Sequence, residues 1–250
     1  MVKQTPKKIT SLQHPLVKHL VKVRKERSYR EESQTVFVPG ETLIAEIAVS
    51  LSPLHVVATK ENPNLAVTHL VSDEIMKKIT GAPSPQEVAA EFPRPKSVSL
   101  TGKSFLLVMD RISDPGNMGT LLRTALAFGW EGVFLLPDAV DLFSEKVIRA
   151  SRGACFRLPF QEGSWPELYA MAEKKTIPLL LADTTGTSIE ALGALSKAYL
   201  ILSHEGKGPS SEGEKKGLSI TIPMPGAMES LNVAVAGGIL LYLLKGLHHG

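Results

Sequence analysis

Phe105-Leu-Leu-Val-Met109 runs directly into Asp110-Arg-Ile-Ser-Asp114-Pro115-Gly116-Asn117-Met-Gly-Thr-Leu-Leu-Arg123-Thr-Ala125. Five apolar residues between polar neighbours are too few for a helix and read as a strand buried on both faces. Asp114, Pro115 and Gly116 make a tight turn, and Asn117 is placed to cap a helix. Met118 to Phe128 has the helical spacing and is stopped by Gly129. A strand, a polar turn and a helix in that order form half of a βαβ unit.

The same alternation continues downstream. Val133 to Leu136, Pro178 to Ala182, Tyr199 to Leu202 and Leu218 to Ile222 read as further strands. Between them Glu145 to Ala150 reads as a helix capped by Ser144, and Trp165 to Lys174 as one with Ser164 and Glu167 in capping-box positions. A last helix runs from about Leu231 to near Leu247. This is the signature of an α/β protein with a parallel sheet covered on both faces. Upstream, Leu16, Leu20, Val23 and Arg27 share one face of a basic helix for which Ser11 is the available cap. Strands at Thr35 to Val38, Leu54 to Thr59, Val67 to Val71 and Val88 to Phe92 alternate with helices at Glu41 to Val49 and Asp73 to Ile79, giving a small α/β domain. Pro93-Arg94-Pro95-Lys96 and the polar stretch to Gly102 break all periodicity. The expected division is a basic helix plus small domain over 1–95, a linker over 96–103 and a larger domain over 104–250.

The formal charge of +3 conceals a strong asymmetry. Residues 1–30 hold Lys3, Lys7, Lys8, Lys18, Lys22, Arg24, Lys25, Arg27 and Arg30 against Glu26 alone, a balance of +8 that leaves −5 for the rest. A basic strip gains affinity for a polyanion through counterion release, so nucleic acid is the expected partner. The same composition suits an organelle transit peptide, but lysine dominates and ordered-looking sequence comes at once after it, so a mitochondrial location is the alternative to a cytoplasmic one. The single cysteine, Cys155, excludes a disulfide framework and a multi-thiolate metal site, and reads as a buried thiol in a reducing compartment. Leu231 to Leu244 is apolar but short of the roughly twenty residues a bilayer needs. It is interrupted by Asn232 and Gly237-Gly238, and reads as a helix in the core or at a subunit interface.

Several common ligand motifs are absent. Gly102-Lys103-Ser104 lacks the leading glycine of a P-loop, since position 97 is Ser97, and it precedes a strand instead of opening a helix. No Gly-x-Gly-x-x-Gly comes after a strand. The seven histidines form no His-Glu-x-x-His pair, so no metal site is expected. Leu202-Ser-His-Glu-Gly206 is not a nucleophile elbow.

What remains is polar chemistry after three strands, where open parallel sheets bind ligands. In the first segment Asn117 serves as a cap or as a ligand group, and Arg123, among Leu121, Leu122, Ala125 and Leu126, reads as a buried cation needing an anion. A phosphate or ribose would serve, and so would an internal carboxylate such as Glu205. The second segment, Tyr199-Leu-Ile-Leu202-Ser203-His204-Glu205-Gly206-Lys207-Gly208, sets one carboxylate in a loop whose glycines allow close ligand approach. Glu205 is there either to neutralise Arg123 or to act in catalysis. The third, Ile220-Thr-Ile222-Pro-Met224-Pro-Gly-Ala-Met-Glu-Ser230-Leu231-Asn232-Val-Ala-Val-Ala236, opens a helix near Ser230 with exposed amides beside it.

In this order, Asn-x-Gly-x-x-x-Arg, Glu-Gly-Lys-Gly and Ile-Pro-Met-Pro-Gly…Glu-Ser-Leu-Asn-Val closely resemble the three motifs of the SpoU or TrmH family, RNA ribose 2′-O-methyltransferases of the SPOUT class. The resemblance spans about Phe105 to Leu244. Residues 11–92 resemble more loosely the small substrate-binding domain that often precedes it. The resemblance implies S-adenosylmethionine as methyl donor, a C-terminal trefoil knot forming the cofactor pocket, a homodimer packed through the knotted region, and an RNA substrate, ribosomal more than transfer RNA. Periodicity gives no reason to expect a knot. By position, Leu202, Ser203, Ile222, Met224 and Leu231 resemble the family's cofactor contacts. Asn117, Arg123, Glu205, Ser230 and Asn232 resemble its polar catalytic group. The family commonly casts the arginine matching Arg123 as a base, yet a guanidinium stays protonated, so Arg123 is expected to anchor RNA phosphate instead. Three positions depart from the pattern: Ser203 stands where glycine is usual, His204 where a small residue is usual, and Ala227-Met228 where some members carry a basic residue.

Overall fold

The computed structural model describes residues 5–192, 195–204, 206 and 208–246. It divides into two compact units, residues 1–95 with 143–153, and residues 96–142 with 154–250. The first contains β1 (Lys7–Ile9), α1 (Pro15–Lys25), α2 (Arg27–Ser33), β2 (Thr35–Pro39), α3 (Glu41–Ala48), β3 (His55–Ala58), β4 (His69–Val71), α4 (Asp73–Thr80) and β5 (Val88–Pro93). Its sheet has the order β1-β4-β3-β5-β2, with β1, β4 and β3 parallel and β5 antiparallel to both its neighbours. Leu20 and Val23 of α1 and Ile75, Met76 and Ile79 of α4 pack onto Phe37, Val57 and Ala89 of the sheet.

The basic N-terminal helix differs from its expected form. Pro15 occupies the first helical position, which makes His14 the cap, and its Nδ1 accepts from the Leu16 amide at 3.2 Å. Ser11 instead accepts from Gln13 N at 3.1 Å. Glu26 is extended and splits the segment into two helices. Arg27 therefore lies outside α1 and pairs with Glu31 across one turn of α2 at 2.8 Å. Arg30 is only 4% exposed and its guanidinium donates to the carbonyls of Val23 and Arg24 at 2.7 and 2.9 Å. It closes the C-terminus of α1, where a cation satisfies orphan carbonyls, and is not part of a free basic surface.

The second unit is built on β6 (Phe105–Asp110), α5 (Pro115–Ala127) and β7 (Gly132–Leu135). The intervening α6 (Glu145–Ala150) lies in residues 143–153, which group with the first unit, so the larger domain is not the continuous 104–250 expected. Next come β8 (Phe160–Glu162), α7 (Trp165–Lys175), β9 (Leu179–Ser188), β10 (Ala198–Ser203), α8 (Ser211–Lys216), β11 (Leu218–Thr221) and α9 (Val233–Gly246). The sheet order is β11-β9-β10-β6-β7-β8 and every pairing is parallel. Leu106, Val108, Phe134, Leu181, Tyr199 and Ile201 form one buried face against Trp165, Leu168 and Met171 of α7. In the expected capping box, Glu167 accepts from the Ser164 amide at 2.7 Å, and the Ser164 bonds hold its carboxyl below the usual range. Cys155 is buried.

The expected linker is packed along β8 and is not a free spacer. The Val98 amide donates to Phe160 O at 2.9 Å and the Leu100 amide to Gln161 Oε1 at 2.8 Å, while the Leu100 side chain is 1% exposed within the core. Among the described residues no helix is long and apolar enough to cross a membrane.

Candidate active site

Strand ends of the second unit wall a cavity of about 430 Å³. The end of β10 contributes Leu202 and Ser203, and the loop after it His204, Gly208 and Pro209. Ile220 and Thr221 of β11 lead into Ile222, Met224, Ser230, Leu231 and Asn232, and α9 closes the wall with Val233, Ala236 and Leu240. Seven of the residues expected at the site therefore line one space: Leu202, Ser203, Ile222, Met224, Ser230, Leu231 and Asn232.

A fourth segment was not anticipated. The pairing of β11 with β9 jumps from Ser219↔Leu181 to Ile220↔Thr187, so residues 182–186 leave the ladder, and Ala182, Asp183 and Thr184 face the cavity. Asp183 Oδ1 accepts from the Thr184 amide at 2.6 Å and Thr221 Oγ1 donates to Thr184 O at 3.2 Å, which ties the bulge down. Just before the ladder resumes at Thr187, Gly186 passes so close to β11 that a Cβ would lie 2.6 Å from Ser219 O. The clue was available in the sequence: Asp183-Thr-Thr stands after an apolar strand as the other three segments do.

The two unusual residues of the second loop are used by the loop itself. Ser203 is 8% exposed and its hydroxyl donates to Asp110 Oδ2 at 3.2 Å. His204 Nδ1 accepts from the Gly206 amide at 3.0 Å, and the Gly208 amide returns to His204 O at 3.0 Å. Asp110, 1% exposed at the end of β6 and level with Ser203, also accepts from the Ser210 amide at 2.8 Å. Arg111 completes the latch: Nε donates to Asp110 Oδ1 at 3.2 Å and Nη2 to Gly208 O at 3.0 Å, from a backbone held at φ +56°. A non-glycine residue in the left-handed region is strained and persists when its surroundings over-determine it. One buried carboxylate thus fastens both ends of the 203–210 loop and the arginine that grips its middle. Glu205 and Lys207 lie outside the described residues.

The first and third segments meet directly. Asn232 Nδ2 donates to Asn117 Oδ1 at 3.1 Å, while Asn232 Oδ1 accepts from the amides of Ala234 and Val235 at 3.0 and 3.3 Å. Asn232 is therefore the cap of α9, which starts later than expected. Asn117 is not a cap: Asp114 takes that role, its Oδ1 accepting from Asn117 N at 2.7 Å, because Pro115 fills the first helical position. Arg123 is also not where its neighbours suggested. Leu121, Leu122 and Ala125 are buried but Arg123 is exposed, since 100° per residue turns it off the buried stripe. It makes no hydrogen bond or ion pair among the described residues.

A six-stranded parallel sheet whose strand-end loops enclose a small polar-rimmed cavity defines an α/β protein that holds a small ligand at strand termini. The model of the SpoU rRNA Methylase family matches residues 104–242. Over 249 aligned residues, 96% of this chain and all of the relative, the chain is 28% identical to the 23S rRNA (guanosine(2553)-2'-O)-methyltransferase of Bacillus subtilis. It is 32% identical to an uncharacterized tRNA/rRNA methyltransferase of Synechocystis, covering 94% of this chain and 92% of that one. The solved structure of a putative RNA methyltransferase of the TrmH family from Porphyromonas gingivalis superposes with a TM-score of 0.83 at 30% identity, covering 94% of this chain and 99% of that one. An AdoMet-bound rRNA methyltransferase from Sinorhizobium meliloti shares the fold, with a TM-score of 0.87 at 24% identity over 98% and 99% of the chains. The chain belongs to the SpoU rRNA methylase family.

Proposed function

We propose that the protein transfers the methyl group of S-adenosylmethionine to a ribose 2′-OH of ribosomal RNA. The observation that carries this reading is the strand-end cavity, walled in large part by the second and third motif segments of a SpoU methylase, with the first segment joined to the third by the Asn117–Asn232 bond. The cavity fits the cofactor in size, since small-molecule sites run from about 300 to 1,000 Å³. It fits in chemistry as well: Leu202, Ile222, Met224 and Leu231 offer apolar surface, and the amides of Met224 and Leu231 make no hydrogen bond among the described residues. S-adenosylmethionine supplies an electrophilic methyl group when bound.

The chain's own residues bind, align and exclude water. Arg123 anchors the phosphate beside the reacting ribose and stabilises charge developing on the 2′-oxygen, as an exposed guanidinium with no partner among the described residues can do. It does not take the proton. We assign that to water, with Glu205 as its acceptor. Asn117, Ser230 and Asn232 hold the loops around the acceptor. The Asp110–Arg111 latch keeps the second loop in place, and Ser203, with its hydroxyl turned to Asp110, leaves its backbone for the cofactor.

The same reading includes a homodimer and a knot. Val235, Ile239 and Tyr242 are exposed at 53, 36 and 58% on one stripe of α9, and the Phe128 ring packs on Tyr242 at 5.4 Å between centroids. A second copy would cover this apolar stripe. After β11, outermost in the sheet beyond β9, the chain returns to pack α9 on α5 and β10, a return that is compatible with the proposed knot. A cytoplasmic location suits the buried Cys155 thiol and a ribosomal substrate. Incubation with methyl-labelled S-adenosylmethionine and ribosomal RNA should yield labelled dinucleotides that resist alkali. Label confined to bases, or no label in the ribosomal RNA, would contradict the proposal.

A further inference from the structure

One end of the first unit's sheet gathers basic side chains from three strands and the cap of one helix. His55 opens β3 and His69 opens β4, and their rings meet edge to face with centroids 5.4 Å apart. Lys7, exposed on the edge strand β1, is paired with His69 in the parallel register. His14, the cap of α1, acts on His69 electrostatically together with His55 and Lys7. The carboxylate at this end of the sheet is Glu91 of β5, 2% exposed, and it is already engaged: His19 of α1 approaches Oε1 at 2.5 Å, and His55 stands 4.0 Å from Oε2. His19 is held in turn by Tyr29 of α2, 3.0 Å from Nδ1, and Lys78 of α4 donates to Leu12 O at 2.9 Å. Basic side chains therefore outnumber the one carboxylate that faces them.

The hydrogen bonds also fix where the protons sit. Thr68 Oγ1 has one hydrogen, given to Val56 O at 2.9 Å, and it accepts from Val56 N at 2.9 Å. Its 2.9 Å contact with His69 Nδ1 then requires the ring to be the donor, which leaves Nε2 of His69 as the atom that gains a proton. His14 Nδ1 accepts from the Leu16 amide, so its proton is on Nε2. Neither Nε2 makes a hydrogen bond among the described residues. Burial pushes His69 below the ordinary histidine range, and the charges of His55, Lys7 and His14 push it further.

We propose that Lys7, His14, His55 and His69 form a binding site for a backbone phosphate of the RNA substrate, and that His69 takes up a proton at Nε2 when the phosphate binds. The site rests on the proposed function in taking RNA as the substrate. A phosphate supplies the missing negative charge and favours the imidazolium. In the free protein His69 is neutral at neutral pH and the complex holds it protonated, so RNA affinity falls as pH rises through neutrality. Among the described residues no group of three His, Cys, Asp or Glu is placed to hold a metal, so the histidines are not read as ligands.

The test is fluorescence anisotropy with the full chain and a labelled RNA duplex of arbitrary sequence, at fixed ionic strength, between about pH 6 and pH 8, the histidine range. Because one proton is taken up on binding, affinity falls by up to about tenfold for each unit that pH rises. His69→Gln should bind like the parent at the alkaline end and lose the slope. Lys7→Gln, on an exposed edge, should weaken binding several-fold across the range. A His69→Gln variant with the parental slope, or a Lys7→Gln variant with parental affinity, overturns the site. Methyl transfer is scored separately: duplex binding with the expected slope but no transfer to any RNA sinks the methyltransferase reading and leaves the site standing, whereas transfer with an RNA affinity indifferent to His69 does the reverse.

Discussion

Asp110 and Arg123 act at opposite ends of the electrostatic range. Asp110 is a buried carboxylate with three donors, and its removal leaves the Ser210 amide and Arg111 without their acceptor. Asp110→Asn should raise the KM for S-adenosylmethionine on the order of tenfold, about 1.4 kcal/mol, with RNA affinity unchanged; equal KM in steady-state assays would show that the latch does not shape the cofactor site. Arg123 is exposed, so Arg123→Ala should leave the denaturation midpoint within roughly 0.5 kcal/mol of the parent and cofactor affinity intact, while kcat falls by at least about a hundredfold. Lost cofactor affinity with normal turnover would remove Arg123 from the catalytic group. The sequence led to both Arg123 and Asn117 by motif, but it misjudged their surroundings. Apolar neighbours in sequence implied burial of Arg123, yet on a helix adjacent residues face different ways. Asp110 escaped notice because its partners, Ser203 and Ser210, are about a hundred residues away and no local pattern records such a contact.

At the level of elements, α9 depends on a close approach that only glycine permits. A Cβ at Gly237 would lie 2.4 Å from Leu121 Cδ2 and 2.5 Å from Leu202 Cδ1, so the helix is seated directly on α5 and on a residue of the cavity wall. Gly237→Ala should cost about 1–3 kcal/mol in urea unfolding by overpacking, even though alanine favours a helix, and should weaken cofactor binding through Leu202. A stabilised variant would mean that α9 is not pressed this closely. Helices with caps at both ends, such as α4 between Ser72 and Gly81, were legible in sequence, as were strands with five apolar residues. Strands β1 and β8, of three residues each, and the six-residue polar α8 were not, because such short pieces carry no period and form only against their neighbours. The long β9 was read only to Ala182 because its polar continuation leaves the ladder and returns to it.

For the whole molecule, charge asymmetry and motif order were enough to reach an RNA methylase, whereas the grouping of residues 143–153 with the first unit depends on packing that no stretch of sequence announces. Assembly is the property a single chain cannot display. Tyr242→Glu places a charge in the exposed stripe of α9, and light scattering should report a dimer for the parent and a monomer for the variant; an equal mass for both would move the proposed interface elsewhere. Ribose methylation of ribosomal RNA is tested most directly in total RNA from cells with and without this protein, mapped for linkages that resist alkali. A resistant ribose in ribosomal RNA should vanish when the protein is absent and stay absent when only Arg123→Ala is restored. Identical maps, or a difference confined to transfer RNA, would contradict it.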